Sequence, residues 1–217
     1  MRFSKIVFAL VLILSLIQTQ GCKHEPVIVL TAADSAICFE RDILPIFVTN
    51  CAKSGCHDAV TAEEELILNS WQGIMAGGIK PGDPSDSEIF QEIKGKMGGP
   101  KYGNLNSEQK ILIQKWIMLG AKNTTNCPTD CDSNQFKFSA NIQPMIDKYC
   151  AGCHAYPNTS GSVDLSSHTS IASYAKNGTL LNSLTHPTNW MPKGGNKLSD
   201  CQIKQFEKWI KAGAPND

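Results

Sequence analysis

Two short strings of cysteine and histidine are the part of this sequence best suited to chemistry. The second motif, Cys150-Ala-Gly-Cys153-His154, has the spacing C-x-x-C-H, and the first motif, Cys51-Ala-Lys-Ser-Gly-Cys56-His57, reaches the same Cys-His ending through a longer loop. C-x-x-C-H is typical of covalent haem attachment, in which two thiols bond to the haem vinyl groups and the adjacent histidine reaches the iron. The candidate cofactor-binding residues are therefore Cys51, Cys56, His57, Cys150, Cys153 and His154.

Other uses of these residues remain open at this stage. The second motif could belong to a zinc knuckle or a C-x-x-C redox pair. A zinc site needs further ligands at close spacing, and a thioredoxin-like pair needs a βαβ setting, and neither is evident in the sequence. The first motif could be a disulfide-forming pair of cysteines beside an unrelated histidine.

Two methionines are the candidate second axial ligands. Met97 lies eight residues before Leu105, and Met191 lies seven residues before Leu198, so both fall on equivalent loops. A thioether bound opposite a histidine raises the reduction potential of haem iron. The predicted iron ligands are thus His57, Met97, His154 and Met191, and no catalytic residue is predicted.

The whole chain contains an internal duplication. Cys51 aligns with Cys150 at an offset of 99, and His57 aligns with His154 at an offset of 97. Further on, Lys115-Trp116-Ile117 aligns with Lys208-Trp209-Ile210 at an offset of 93, with every feature in the same order. Self-similarity of this kind predicts two copies of one structural unit. His168 aligns with Trp71 and is therefore interpreted as structural, while His186 is expected at the surface.

The sequence predicts an all-α fold. Asn106-x-x-Gln109 and Ser199-x-x-Gln202 have the pattern of capping boxes, and apolar residues recur at three- and four-residue spacing after each. The segments 42–49 and 141–148, just before the two motifs, show the same helical spacing. No segment alternates convincingly in the manner of a strand.

Four of the nine cysteines lie outside the motifs and the N-terminal segment: Cys38, Cys127, Cys131 and Cys201. In an oxidising compartment they predict two disulfides. In the chain-entropy treatment, a bridge that closes most of a 90-residue unit contributes about 4–5 kcal/mol, which favours pairing within units. We expect Cys38–Cys127 and Cys131–Cys201; crossed pairing and free thiols are the alternatives.

The N-terminal segment has the features of an export signal. Arg2 and Lys5 precede the apolar run 6–17, which is too short to span a bilayer. Gly21-Cys22 then resembles a lipoprotein cleavage site, at which Cys22 would be lipidated; an ordinary signal peptide is the alternative. The balanced charge, 20 basic against 20 acidic residues, gives no reason to expect a nucleic-acid partner.

Each unit resembles a small class I cytochrome c, and more narrowly the planctomycete-type cytochrome c-like domains of exported bacterial lipoproteins. The motifs, the methionine loops and the closing Trp-Ile-x-x-Gly-Ala carry this resemblance. It implies two tandem α-helical domains, each around one covalently attached haem c. The predicted organisation is a signal peptide (1–21), a lipidated tether (22–37) and two cytochrome c-like domains (38–126 and 127–217).

The resemblance implies one-electron transfer by a di-haem protein in the cell envelope. A lipid would anchor it to a membrane on the periplasmic or outer-surface side, and its partner would be another redox protein. Two alternatives remain. One is a di-haem peroxidase-like enzyme with an open iron in the first domain. The other is a haem-containing binding or sensing module of a surface complex.

Overall fold

The computed structural model describes residues 28–31, 33–34, 37–128, 131–156 and 158–217. Within these ranges the protein is all-α, as predicted, apart from a two-residue strand, Asn158–Thr159, and an antiparallel bridge between His154 and Thr159. The signal peptide, Cys22 and His24 lie outside the described residues. Among the helices in these ranges, none combines the length and the apolar character that a membrane crossing requires.

The first half of the described chain contains four α-helices. A π-helical turn, Phe39–Ile43, leads directly into α1 (Leu44–Asn50). It is followed by α2 (Trp71–Ala76), α3 (Glu88–Lys94) and α4 (Ser107–Met118). The helix predicted over 42–49 is confirmed. No helix was predicted in the region that contains α2 and α3.

The second half repeats this order with additional helices. A π-helical turn, Phe138–Ile142, again leads into the first helix, and its position matches the first turn at an offset of 99. The helices are α5 (Gln143–Tyr149), α6 (Ala151–His154), α7 (His168–Lys176), α8 (Thr179–Thr185) and α9 (Asp200–Lys211).

The last helix of each half begins with a capping box, as the sequence predicts. The Asn106 side chain accepts from the Gln109 backbone N–H at 2.8 Å, and the Gln109 side chain accepts from the Asn106 N–H at 3.0 Å. Ser199 and Gln202 exchange the same two bonds at the start of α9. Such reciprocal bonds satisfy two backbone donors that would otherwise be unpaired.

A tryptophan in each last helix anchors the chain that follows it. Trp116 Nε1 donates to the Lys122 carbonyl at 3.0 Å, and Trp209 Nε1 donates to the Pro215 carbonyl at 2.9 Å. Both side chains are almost fully buried. Both tryptophans are therefore core residues.

His168 has a structural role, as its alignment with Trp71 predicts. Trp71 Nε1 donates to the Ala121 carbonyl at 2.8 Å, and His168 Nε2 donates to the Ala214 carbonyl at 3.0 Å. Two different ring types therefore make the same contact in the two halves. His168 also packs edge-on against Phe138, with ring centroids 4.6 Å apart.

The described residues form two hydrophobic clusters, one in each half. The first lies between residues 39 and 121, and the second between residues 138 and 214. Their fully buried large side chains are Ile43, Phe47, Ile74, Phe90, Ile113, Trp116 and Ile117 in the first, and Ile142, Ile146, Ile171, Phe206 and Trp209 in the second. The clusters agree with the duplication, whereas the exact boundaries 38–126 and 127–217 stay a prediction.

The two predicted disulfides are present. Cys38 is bonded to Cys127, and Cys131 is bonded to Cys201, each with a Cα–Cα distance of 6.2 Å. Within-unit pairing is therefore confirmed. The first bridge ties Cys127 to the first unit, although the predicted boundary assigned that residue to the second.

Candidate functional site

Both motifs begin where an entry helix ends. The Cys51 backbone N–H donates to the Phe47 carbonyl at 2.8 Å, and the Cys150 N–H donates to the Ile146 carbonyl at 2.9 Å. These bonds complete the last turns of α1 and α5. The first motif continues as a series of turns, whereas the shorter second motif continues as the single helical turn α6.

The second motif lies against the first unit, just before the first motif. Helix α1 packs against α5 and α6. Cys153 Sγ donates to the Thr49 carbonyl at 3.3 Å. Gly152 is so close that an added Cβ would lie 2.4 Å from the Thr49 carbonyl oxygen and 2.7 Å from Asn50 Oδ1. The fold therefore brings the two motifs together at the junction of the units.

Polar contacts across the junction hold this arrangement. Lys148 Nζ lies 3.2 Å from Asp42 Oδ1, and Asn196 Nδ2 donates to Glu40 Oε1 at 3.0 Å. Asp42 also accepts from the Cys38 backbone N–H at 2.9 Å. Desolvation opposes ionisation of Asp42. Hydrogen bonds from the adjacent Arg41 guanidinium, at 2.7 and 2.9 Å, and from the Cys38 N–H outweigh it, together with the charges of Lys148 and Arg41, and lower the Asp42 pKa.

The four motif cysteines form no disulfide, and burial disfavours ionisation of three of their thiols. Burial raises the pKa of the Cys51 and Cys150 thiols to about 12. Burial also raises the pKa of Cys153, while the Lys53 ammonium acts in the opposite direction and the Cys56 thiol adds to the increase. Cys56 and Lys53 of the first motif thus lie close enough to Cys153 to affect its charge.

The two motif histidines differ in their hydrogen bonds. His57 Nδ1 lies 3.0 Å from the Glu63 carbonyl oxygen. His154 Nδ1 is buried and has no hydrogen-bond partner among the described residues. Their backbones nevertheless agree: the His57 carbonyl accepts from the Leu68 N–H at 2.9 Å, and the His154 carbonyl accepts from the Leu165 N–H at 2.6 Å.

The two candidate methionines lie on the predicted loops and are half-buried. Met97 follows α3, with its backbone N–H donating to the Glu92 carbonyl at 3.0 Å. Met191 lies between α8 and α9, with its N–H donating to the Ser183 carbonyl at 2.9 Å. Iron ligation by either methionine stays a prediction.

The prediction of two covalently attached haems, with its haem, iron and metal-binding roles, is corrected by the structure. Four of the eight cysteines in the described ranges are joined in disulfides. No group of three or more His, Cys, Asp or Glu side chains in those ranges could hold a metal ion. In the second motif, Gly152 and Cys153 pack against the backbone of the other unit rather than around a common centre. The two-haem prediction is therefore not retained.

The residues that shape this junction were missed by sequence reasoning. Thr49 and Asn50 are buried polar residues directly before the first motif. Asn50 Nδ2 donates to the Ile46 carbonyl at 2.8 Å, and Thr49 Oγ1 donates to the Pro45 carbonyl at 2.8 Å. One sequence signal could have identified them. The apolar helix before the first motif ends in a Thr-Asn pair, at positions where aliphatic residues would have extended the core.

The comparisons with known proteins are negative: no protein family, no curated protein and no solved structure matches this chain.

Proposed function

We propose that this protein transfers single electrons in the cell envelope, with its redox site at the junction of the two Cys-His motifs. The observation that carries the proposal is the approach of the two motifs, because the Cys153 thiol donates to the carbonyl of Thr49, two residues before Cys51. A duplicated unit whose copies meet at their reactive ends gives electrons a short path between them.

The disulfides support the proposed location. Two disulfides within the units favour an exported protein, because such bonds persist in oxidising compartments. We further propose that Cys22 carries a lipid anchor and that the electron donor or acceptor is another redox protein. Both statements derive from the sequence.

Thiol–disulfide exchange fits the site less well than electron transfer. The attacking group in that chemistry is a thiolate. With a pKa of about 12, only about one in 10⁵ of the Cys51 or Cys150 thiols is ionised at pH 7. A buried thiol of this kind behaves as a structural group rather than a nucleophile.

The test is direct electrochemistry of the full chain, exported with its own N-terminal segment. We expect a reversible one-electron wave, and the absorbance spectrum and mass of the same sample identify the redox group and its number. The variant Cys150→Ser/Cys153→Ser is expected to lose or displace the wave.

The matched control removes two cysteines elsewhere in the same unit. Cys131→Ser/Cys201→Ser takes away a disulfide and leaves both motifs intact. We expect it to retain the wave, at lower stability. Absence of any redox wave from the parent chain, or equal loss in both variants, would contradict the proposed function.

A further inference from the structure

The turn that follows the first motif has an unusual backbone. Ala62, Glu64 and Glu65 have φ angles of 45°, 53° and 62°. These lie in the left-handed region, which residues with a Cβ rarely adopt and which persists only where the surroundings enforce it. None of the three is a glycine, so the sequence does not relieve the strain.

Hydrogen bonds hold this turn against the motif. The Ala62 N–H donates to the Asp58 carbonyl at 3.0 Å, and the Glu63 N–H donates to the Cys56 carbonyl at 3.0 Å. The next bond runs from the Leu66 N–H to the Glu63 carbonyl at 3.1 Å. The turn is therefore fastened to the residue that directly precedes His57.

The strained turn presents a carbonyl to His57. The Glu63 carbonyl oxygen lies 3.0 Å from His57 Nδ1. A carbonyl only accepts hydrogen bonds, so in the neutral ring Nδ1 carries the proton and Nε2 has the free lone pair. Nε2 is thus the ring nitrogen that remains available, and it is an acceptor.

The second unit repeats only part of this turn, because Thr159, which matches Ala62 at an offset of 97, has a φ of −110°. Gly161 and Ser162 have φ angles of 65° and 58°, and they match Glu64 and Glu65 at an offset of 97. His154 Nδ1, however, has no partner among the described residues. The duplication kept the last two left-handed residues of the turn, and among the described residues it is the first copy in which the turn bonds a motif histidine.

We infer that the turn Ala62–Glu65 is a positioning element that fixes the tautomer of His57 and leaves Nε2 as an acceptor. His154 is not fixed in this way. The inference depends on the geometry of the turn and not on the proposed electron transfer. It also distinguishes the two motifs, because the first offers a defined imidazole acceptor.

The experiment reads the tautomers directly. The full chain is labelled with ¹⁵N-histidine, exported from cells without the c-type maturation machinery, and studied by long-range ¹H–¹⁵N correlation at pH 8. We expect His57 to be Nδ1–H in about tenfold excess, the ratio that one ordinary hydrogen bond sustains. His154 is expected to lack this preference.

Two variants isolate the turn. Ala62→Pro cannot adopt a positive φ and lacks the N–H that bonds Asp58, so His57 is expected to shift toward Nε2–H, the tautomer preferred in water. Ala62→Gly accommodates the turn and is expected to retain Nδ1–H. Thr159→Pro, at the sequence-equivalent position of the second unit, where φ is −110°, is the control for a proline placed elsewhere and is expected to leave His57 unchanged.

The outcomes are separable. An Nε2–H tautomer of His57 in the parent chain, or an unchanged tautomer in Ala62→Pro, overturns the inference. If Ala62→Pro does not fold, the parent and Ala62→Gly decide the question. Both proteins must then show a preference for Nδ1–H at His57, and neither protein may show it at His154. A failed redox measurement would leave these tautomers unaffected, so the two proposals fail independently.

Discussion

The two Cys-His motifs begin and end with the same backbone hydrogen bonds and have very different surroundings. Cys51 and Cys150 each complete the last turn of an entry helix, and His57 and His154 each accept from a leucine N–H that follows. The repeated bonds show that local sequence reproduces the same chain path twice. The motifs differ in what packs against them, and that is set by the other unit.

The glycines inside the motifs show this difference most clearly. Gly55 has a φ of +82° and no atom near the position of an added Cβ. At Gly152, an added Cβ would lie 2.4 Å from the Thr49 carbonyl oxygen. Gly55 is needed for its backbone conformation, whereas Gly152 is needed for close approach between units. Of the two motif glycines, Gly152 is thus the one that packs against the other unit.

Removing the disulfides should give the largest effect and tests whether the two units are equally dependent on their bridges. Cys38→Ala/Cys127→Ala and Cys131→Ala/Cys201→Ala open loops with sequence separations of 89 and 70 residues. Each pair is expected to lower the free energy of unfolding by about 4 kcal/mol. Urea denaturation measures both. If only one of the two double variants lost a large part of its unfolding free energy, the two bridges would not be structurally equivalent.

The glycine pair should give an intermediate effect. Gly152→Ala forces a methyl group against the Thr49 carbonyl and is expected to cost about 2–3 kcal/mol. Gly55→Ala meets no neighbouring atom and is expected to cost about 1 kcal/mol, the penalty of a positive φ.

Urea unfolding followed by tryptophan fluorescence measures both glycine variants. Separation of the single transition into two is expected only for Gly152→Ala, because that residue holds the units together. Equal costs for the two variants would contradict the asymmetry of the motifs.

Asp42 should give the smallest effect and the one that depends on pH. It bonds Lys148 across the junction, while its equivalent in the second unit, at an offset of 99, is the neutral Asn141. Asp42→Asn is expected to cost about 1–2 kcal/mol at pH 7. Because folding lowers the Asp42 pKa, this stabilisation is complete above the unfolded value of about 4 and disappears as the pH falls through the folded value.

Urea titrations of the parent and Asp42→Asn at pH 7 and near pH 2 measure this dependence. The difference between the two proteins should shrink at the lower pH. Asn141→Ala, as the control, is expected to show no pH-dependent difference from the parent. A constant difference across pH for Asp42→Asn would show that packing, rather than charge, gives this residue its effect.

Much of the helical framework could be predicted because its signals are local. The capping box at Asn106 lies within four residues of chain, and the apolar spacing before Cys51 and Cys150 marks both entry helices. The helix α2, with six residues, was not predicted. Helices of that length are unstable alone and form because tertiary packing holds them, so their sequence signal is weak.

The sequence alone determined the duplication, the entry and closing helices, the two bridges and the similar local structure of the motifs. These features follow from residue spacing, capping and the entropy of loops. Only the tertiary structure decided that Gly152 lies against Thr49, that Lys148 reaches Asp42, and that just one histidine is held by a strained turn. The reason is that these contacts join residues whose approach depends on how the helices and turns pack, and no local pattern records that packing.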